Sequence, residues 1–221
     1  LQMGLVSAER IFKILERKDQ IDDIGIKDPE IIKGAICFKD LRFSYVDDEQ
    51  VIHGINLNVK PGEKIAIVGS TGAGKSTIIN LLSRFYEYNE GSITLDNISI
   101  KDFSIHSLRK HIGVILQDVF LFADTVYNNI VLFDSHIKKD DVYKAAKDIG
   151  VHEFIKSLPG GYQYNVKERG IMLSSGQRQL IAFLRIYISN PSVLVLDEAT
   201  SSIDSYSEDI IKKALNKITQ K

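Results

Sequence analysis

The chain holds 221 residues, 44% of them apolar and 26% charged, with a net charge of −1; it is long enough for one large core or two small ones and has the make-up of a globular protein. The near-neutral balance gives no bulk attraction to nucleic acid or an anionic membrane, so any phosphate binding must be local. Cys37 is alone, which excludes a disulfide framework and a thiolate metal cluster, and with no apolar run long enough to span a bilayer and no signal peptide visible the chain reads as soluble.

In chain order, Leu5, Ala8, Ile11, Phe12 and Leu15 recur at helical spacing and predict an amphipathic helix over residues 1–15, with the charged stretch 16–30 as a linker. Such a helix packs on the chain's own core or belongs to something upstream. Residues 36–43 and 51–59 alternate apolar and polar, which predicts two antiparallel strands joined by a turn at 46–50. Tyr45 stands at the mouth of that turn, where an aromatic ring either packs within the strand pair or stacks on an adenine.

The apolar run Lys64-Ile65-Ala66-Ile67-Val68 predicts a strand, and Gly69-Ser70-Thr71-Gly72-Ala73-Gly74-Lys75-Ser76-Thr77 follows it into a helix over 75–85. Strand, glycine loop and helix are the P-loop context. Glycines let successive backbone N–H groups curl around a polyphosphate, and the helix aims its positive end at the same charge. Lys75 reaches the β/γ-phosphates in such a loop, and Ser76 ligates Mg2+.

Downstream, 92–100 reads as a hairpin around Asp96-Asn97, and 112–116 as a buried strand running into Gln117-Asp118, at the end of an α/β sheet where ligands are met. Residues 125–158 carry helical periodicity only, which predicts a helical insertion closed by Pro159-Gly160-Gly161. Leu173-Ser174-Ser175-Gly176-Gln177 opens an apolar helix that Ser174 or Ser175 can cap; small residues at a helix start again favour an anion. Asn190-Pro191 ends it. Val193-Leu194-Val195-Leu196 is an apolar strand ending in Asp197-Glu198, where the first acid can hold Mg2+ and the second orient the attacking water. A loop over 199–204 and an amphipathic helix over 205–218 complete the chain.

With the glycine loop, Gln117, Leu173 to Gln177 and Asp197-Glu198 in this order, the sequence resembles the nucleotide-binding ATPase domain of ABC transporters over about residues 36–221. The resemblance implies an α/β fold: a RecA-like P-loop NTPase core with an N-terminal antiparallel β subdomain and a helical subdomain inserted at about 118–178. It makes Tyr45 the adenine-stacking aromatic, Gly69 to Thr77 the Walker A loop, and Gln117 the Q-loop glutamine that touches Mg2+ and water. Leu173 to Gln177 is similar to the LSGGQ signature, in which Ser174, Ser175, Gly176 and Gln177 contact the ATP of a second domain. Val193 to Asp197 is similar to Walker B, Glu198 to the catalytic base, and Ser201-Ser202-Ile203-Asp204 to the D-loop. Glu168-Arg169-Gly170 looks like the segment that meets membrane-domain coupling helices in exporters.

Ser7-Ala8-Glu9-Arg10-Ile11-Phe12 resembles the segment joining the last membrane helix to the nucleotide domain in bacterial exporters of multidrug or lipid A type. The implied organisation is a linker over 1–30 from a transmembrane domain and a nucleotide-binding domain over 31–221, on the cytoplasmic face of the cell membrane. ATP, Mg2+ and a second nucleotide-binding domain are the implied cofactors and partner, with no nucleic acid. Three positions depart from the family pattern. Ser175 stands where glycine is usual and Met172 where asparagine is common, and no residue matches the switch histidine, so the chain reads as truncated before that strand; His152 reads as a helix-surface residue. The alternatives are a small-molecule kinase, a soluble ABC-type ATPase such as a DNA-repair clamp, and a domain that binds nucleotide with little turnover.

Overall fold

The computed structural model describes residues 2–16, 21, 23–46, 49–132, 134–197 and 205–219. Helix α1 (Gln2–Leu15) comes first, with Ile11, Phe12 and Leu15 all more than half exposed, so these members of its apolar stripe are not packed on the chain's own core. Strands β1 (Ile36–Ser44) and β2 (Gln50–Val59) pair antiparallel, as their alternation predicts, and β3 (Glu90–Leu95) and β4 (Ile98–Ser99) form the hairpin whose turn residues Asp96 and Asn97 both adopt positive φ. The resulting four-stranded sheet runs β2-β1-β3-β4. One face is filled by Phe38, Leu41, Phe43, Ile93 and Leu95, against Ile78, Leu81 and Leu82 of α2 (Lys75–Leu82) and Leu108 of α3 (Ile105–His111). Full burial of such side chains contributes about 1.5–3 kcal/mol each.

A second core gathers α4 (Val126–Val131), α5 (Lys139–Ile149), α6 (His152–Ser157), α7 (Ser175–Ser189) and α8 (Ser205–Ile218) around Ile130, Ala146, Ile155, Phe183, Leu184 and Ile211. The parallel pair β5 (Ile112–Ile115) and β6 (Val193–Leu196) is the seam between the two cores. Side chains alternate along a strand. Ile112, Val114, Val193 and Val195 therefore serve the sheet-side core, while Ile115 and Leu194 serve the helical one.

Two features differ from the sequence expectations. Lys64 to Val68 forms no strand: among the described residues β6 is hydrogen-bonded only to β5, a strand needs a ladder partner, and Ile65, Ile67 and Val68 stay 46%, 43% and 87% exposed. Helix α2 also stops at Leu82 rather than near Phe85, because Arg84 turns into the left-handed region at φ 49°.

Much of the charged stretch after α1 is fastened to the body. Backbone bonds pair Lys27 with Asp102 (2.9 Å) and Ser104 (3.2 Å), and the Asp23 carboxylate accepts from the Ile105 N–H at 2.8 Å. Asp96 Oδ1 accepts from Ala35 N at 2.7 Å, and Asp96 also accepts from Lys33 N. His111 Nε2 donates to the Pro29 carbonyl at 3.0 Å, which leaves Nδ1 to accept from the Ser192 hydroxyl at 3.4 Å.

Candidate functional site

The glycine loop is built even though the run before it is not a strand. Gly72 and Gly74 take φ of 85° and 86°, and Ala73 N closes on Ser70 O at 3.1 Å. At Gly74 only glycine serves: a Cβ would fall 2.8 Å from Ile52 Cδ1 and 3.3 Å from Val51 O, so β2 and the loop meet through this position. Lys75 bends back over the loop, its Nζ donating to Gly69 O at 2.8 Å and Ser70 O at 2.9 Å. The ammonium is thus held above the turn formed by Gly69, Ser70, Thr71, Gly72 and Ala73, all exposed.

Ser76 Oγ donates to Asp197 Oδ2 at 3.4 Å, which joins two residues 121 positions apart at the junction of α2 and the tip of β6. Asp197 N in turn donates to Ile115 O at 2.9 Å, so Asp197 and Gln117 leave the same end of the parallel pair. No group of three or more His, Cys, Asp or Glu side chains able to hold a metal occurs among the described residues. A hydroxyl beside a single carboxylate suits a hard cation that takes its other oxygens from phosphate and water, as Mg2+ does. Glu198 and residues 199–204 lie outside the described residues.

Tyr45 is half exposed, and its hydroxyl donates to Thr77 Oγ1 at 3.1 Å. Its ring stands edge-on to Phe43 at 4.8 Å and to Tyr86 at 4.9 Å, so strand packing and a half-open ring coexist. Ser174, not Ser175, is the N-cap of α7. Its Oγ accepts from Gln177 N at 3.2 Å while Gln177 Oε1 accepts from Ser174 N at 3.0 Å, a reciprocal capping box that fixes the start of the helix. Ser174 and Ser175 are exposed and Gly176 is buried. Arg178 steadies the approach to this turn by donating from Nη1 to Leu173 O at 2.8 Å.

His152 is not a plain surface residue. It opens α6 half-buried, and its Nδ1 and the Tyr162 hydroxyl share a hydrogen bond at 2.9 Å. Burial pushes the Tyr162 phenol up to about 12, with Tyr143 and Glu153 adding to the shift.

Several supporting residues escape a motif reading. Behind α2, Arg109 donates to Ser83 O at 3.1 Å and Arg84 O at 2.8 Å, capping the helix end opposite the glycine loop; burial and the nearby Arg84 charge hold its guanidinium below its ordinary value, against the pull of Asp23. Arg84, 2% exposed, donates to Phe103 O at 3.1 Å and pairs with Glu87 at 2.9 Å. The one sequence signal for such a residue is a cation inside an apolar run, as at Arg185 within Leu180 to Ile188.

A left-handed glycine turn that feeds a helix, a lysine folded over that turn, and a hydroxyl–carboxylate pair at a strand tip define a P-loop site on an α/β scaffold. The chain belongs to the ABC transporter family, whose model matches residues 52–201. It is 42% identical over 216 residues to an uncharacterised ABC transporter ATP-binding protein of Bacillus subtilis, covering 97% of this chain and 36% of that protein. It is 41% identical over 220 residues to the ATP-dependent lipid A-core flippase of Saccharophagus degradans, covering all of this chain and 37% of the flippase. Among solved structures it is similar to a bacterial Atm1-family ABC exporter with ATP bound, at a TM-score of 0.87 and 34% identity, over 99% of this chain and 39% of the exporter chain. The chain thus spans well under half the length of these relatives. No helix among the described residues is long and apolar enough to cross a membrane.

Proposed function

We propose that this chain binds and hydrolyses ATP as the nucleotide-binding part of a longer exporter for a lipid, drug or peptide. The observation that carries the reading is the 3.4 Å approach of Ser76 to Asp197 beside the lysine-capped glycine loop, two distant motifs brought to one point. Backbone N–H groups of residues 70–77 cradle the phosphates, Lys75 offsets charge on the β/γ-phosphates, and Tyr45 stacks on the adenine. Ser76, Asp197 and Gln117 would hold Mg2+, which supplies charge neutralisation at the transferred phosphoryl group. Glu198 orients and deprotonates the attacking water.

One such domain leaves part of the triphosphate uncovered. A second nucleotide-binding domain would offer its Ser174 to Gln177 helix start to that side, so ATP holds the two together and hydrolysis releases them. A transmembrane domain fused N-terminally, at the cytoplasmic face of the membrane, would receive this motion. The resemblance to full exporters and the ATP-binding/permease names of relatives support this organisation. The test is Glu198→Gln in the longer parent protein. Slow hydrolysis together with a stable ATP-bound dimer is the expected result; a variant that hydrolyses at the parent rate, or stays undimerised at saturating ATP, sinks the proposal.

A further inference from the structure

Arg185 is a half-buried cation that the proposed chemistry does not use. It stands in the second half of α7, at the edge of the helical core, where desolvation pulls its guanidinium down to about 10, and at neutral pH it keeps its charge. Its acceptors among the described residues are neutral: Nε donates to the Asn129 carbonyl, Nη2 to Asn129 Oδ1 at 3.1 Å and Nη1 to Phe120 O at 3.3 Å. Asn129, 1% exposed, completes the link: its Oδ1 accepts from Phe122 N at 2.8 Å, and its Nδ2 donates to Phe122 O and Thr125 O, both at 3.0 Å. Two side chains thus grip the backbone of Phe120 and Phe122, just downstream of Gln117. Between them the fully buried Leu121 is wedged against Gly170, where a Cβ would come within 2.8 Å of Leu121 Cδ1.

We infer that Arg185 and Asn129 are positioning residues: together they lock the Gln117 loop to the helix that begins at Ser174 to Gln177, so that the loop and the helix start move as one body. A guanidinium fork bridging a carbonyl, an amide and a second carbonyl fixes relative orientation, which a single point charge cannot do. An amide that bonds both the N–H and the C=O of one residue fixes its register. The inference rests on the proposed nucleotide site, because Gln117 matters through its reach to the metal and water there.

The test compares the 221-residue chain with Asn129→Ala, Arg185→Gln and the double variant, by amide hydrogen exchange without nucleotide and by ATP affinity with and without Mg2+. Amides of 118–123 are expected to exchange about tenfold faster in each variant while those of β5 and β6 hold their protection. The gain in ATP affinity on adding Mg2+ is expected to fall about three- to tenfold with Mg2+-free affinity unchanged, and the double variant to be no worse than either single one. Unchanged exchange over 118–123 overturns the inference. So does a loosened loop with an unchanged Mg2+ effect, which is what a merely structural role gives. If Arg185→Gln raises exchange throughout, Asn129→Ala and Arg185→Lys, which keeps the charge without the fork, decide by the same two criteria. A parent chain that binds no ATP overturns the nucleotide site and this inference with it; the exchange arm, needing no nucleotide, shows separately whether the loop is held.

Discussion

Lys75 carries the densest set of contacts at the glycine loop, two carbonyls within 2.9 Å. Replacing it with alanine removes a charge-assisted contact to phosphate worth about 1.5–3 kcal/mol, so ATP affinity should fall by at least about tenfold, as isothermal titration would show. Tyr45→Ala should cost about 1–3 kcal/mol in ATP binding through lost stacking and leave the affinity for inorganic tripolyphosphate unchanged. If both ligands weaken equally, Tyr45 serves the loop through its bond to Thr77 rather than the base. The glycine loop was legible because its spacing is local: glycines, lysine and serine follow one another, and the chemistry dictates the order; the choice of the adenine role proposed for Tyr45 came only from the resemblance. Arg84, Asn129 and Arg185 were not, because their partners lie far along the chain and any one of them looks ordinary by itself.

At the level of single elements, α7 depends on its capping box. Ser174→Ala should lower stability by about 1 kcal/mol, read as a shifted urea midpoint at constant slope. Ser175→Gly frees the backbone at the position where the resemblance expects glycine, and turnover of the longer exporter proposed above should rise; unchanged turnover would show that this serine does not restrain phosphate contact. The turn at Gly161 to Gln163 holds Tyr162 against α6, and its phenol is raised in the fold. That stability is fully present below pH 10 and is lost as pH rises toward 12, since the unfolded chain gives up the proton first. Melting temperature should therefore decline across that window, and Tyr162→Phe should remove this part of the decline. The β1–β2 pair, the β3–β4 hairpin and the helices over 125–158 could all be read from period and turn residues. Lys64 to Val68 could not, because an apolar run encodes burial and not the neighbour needed to form a ladder.

For the molecule as a whole, the sequence order of motifs pointed to the family, but not to the arrangement in which a two-stranded seam feeds two separate cores. That arrangement depends on which side of β5 and β6 each residue faces, and four-residue apolar strands hide it. Nor did composition show that residues 23–35 lie fastened across the body; the stretch is charged, and the carboxylates of Asp23 and Asp96, His111 and the backbone of Lys27 reveal the anchoring. Asp96→Ala should release it, seen as faster proteolysis near Lys27 and Lys33 with little change in the melting of the body.

The route of that strap has a mechanical side. His111 immediately precedes β5 and Ser192 immediately precedes β6, and the Pro29 carbonyl is bonded to the same imidazole that joins them. Tension on residues 23–35 would reach the roots of both parallel strands at once through this one imidazole, opposite the tips that bear Gln117 and Asp197.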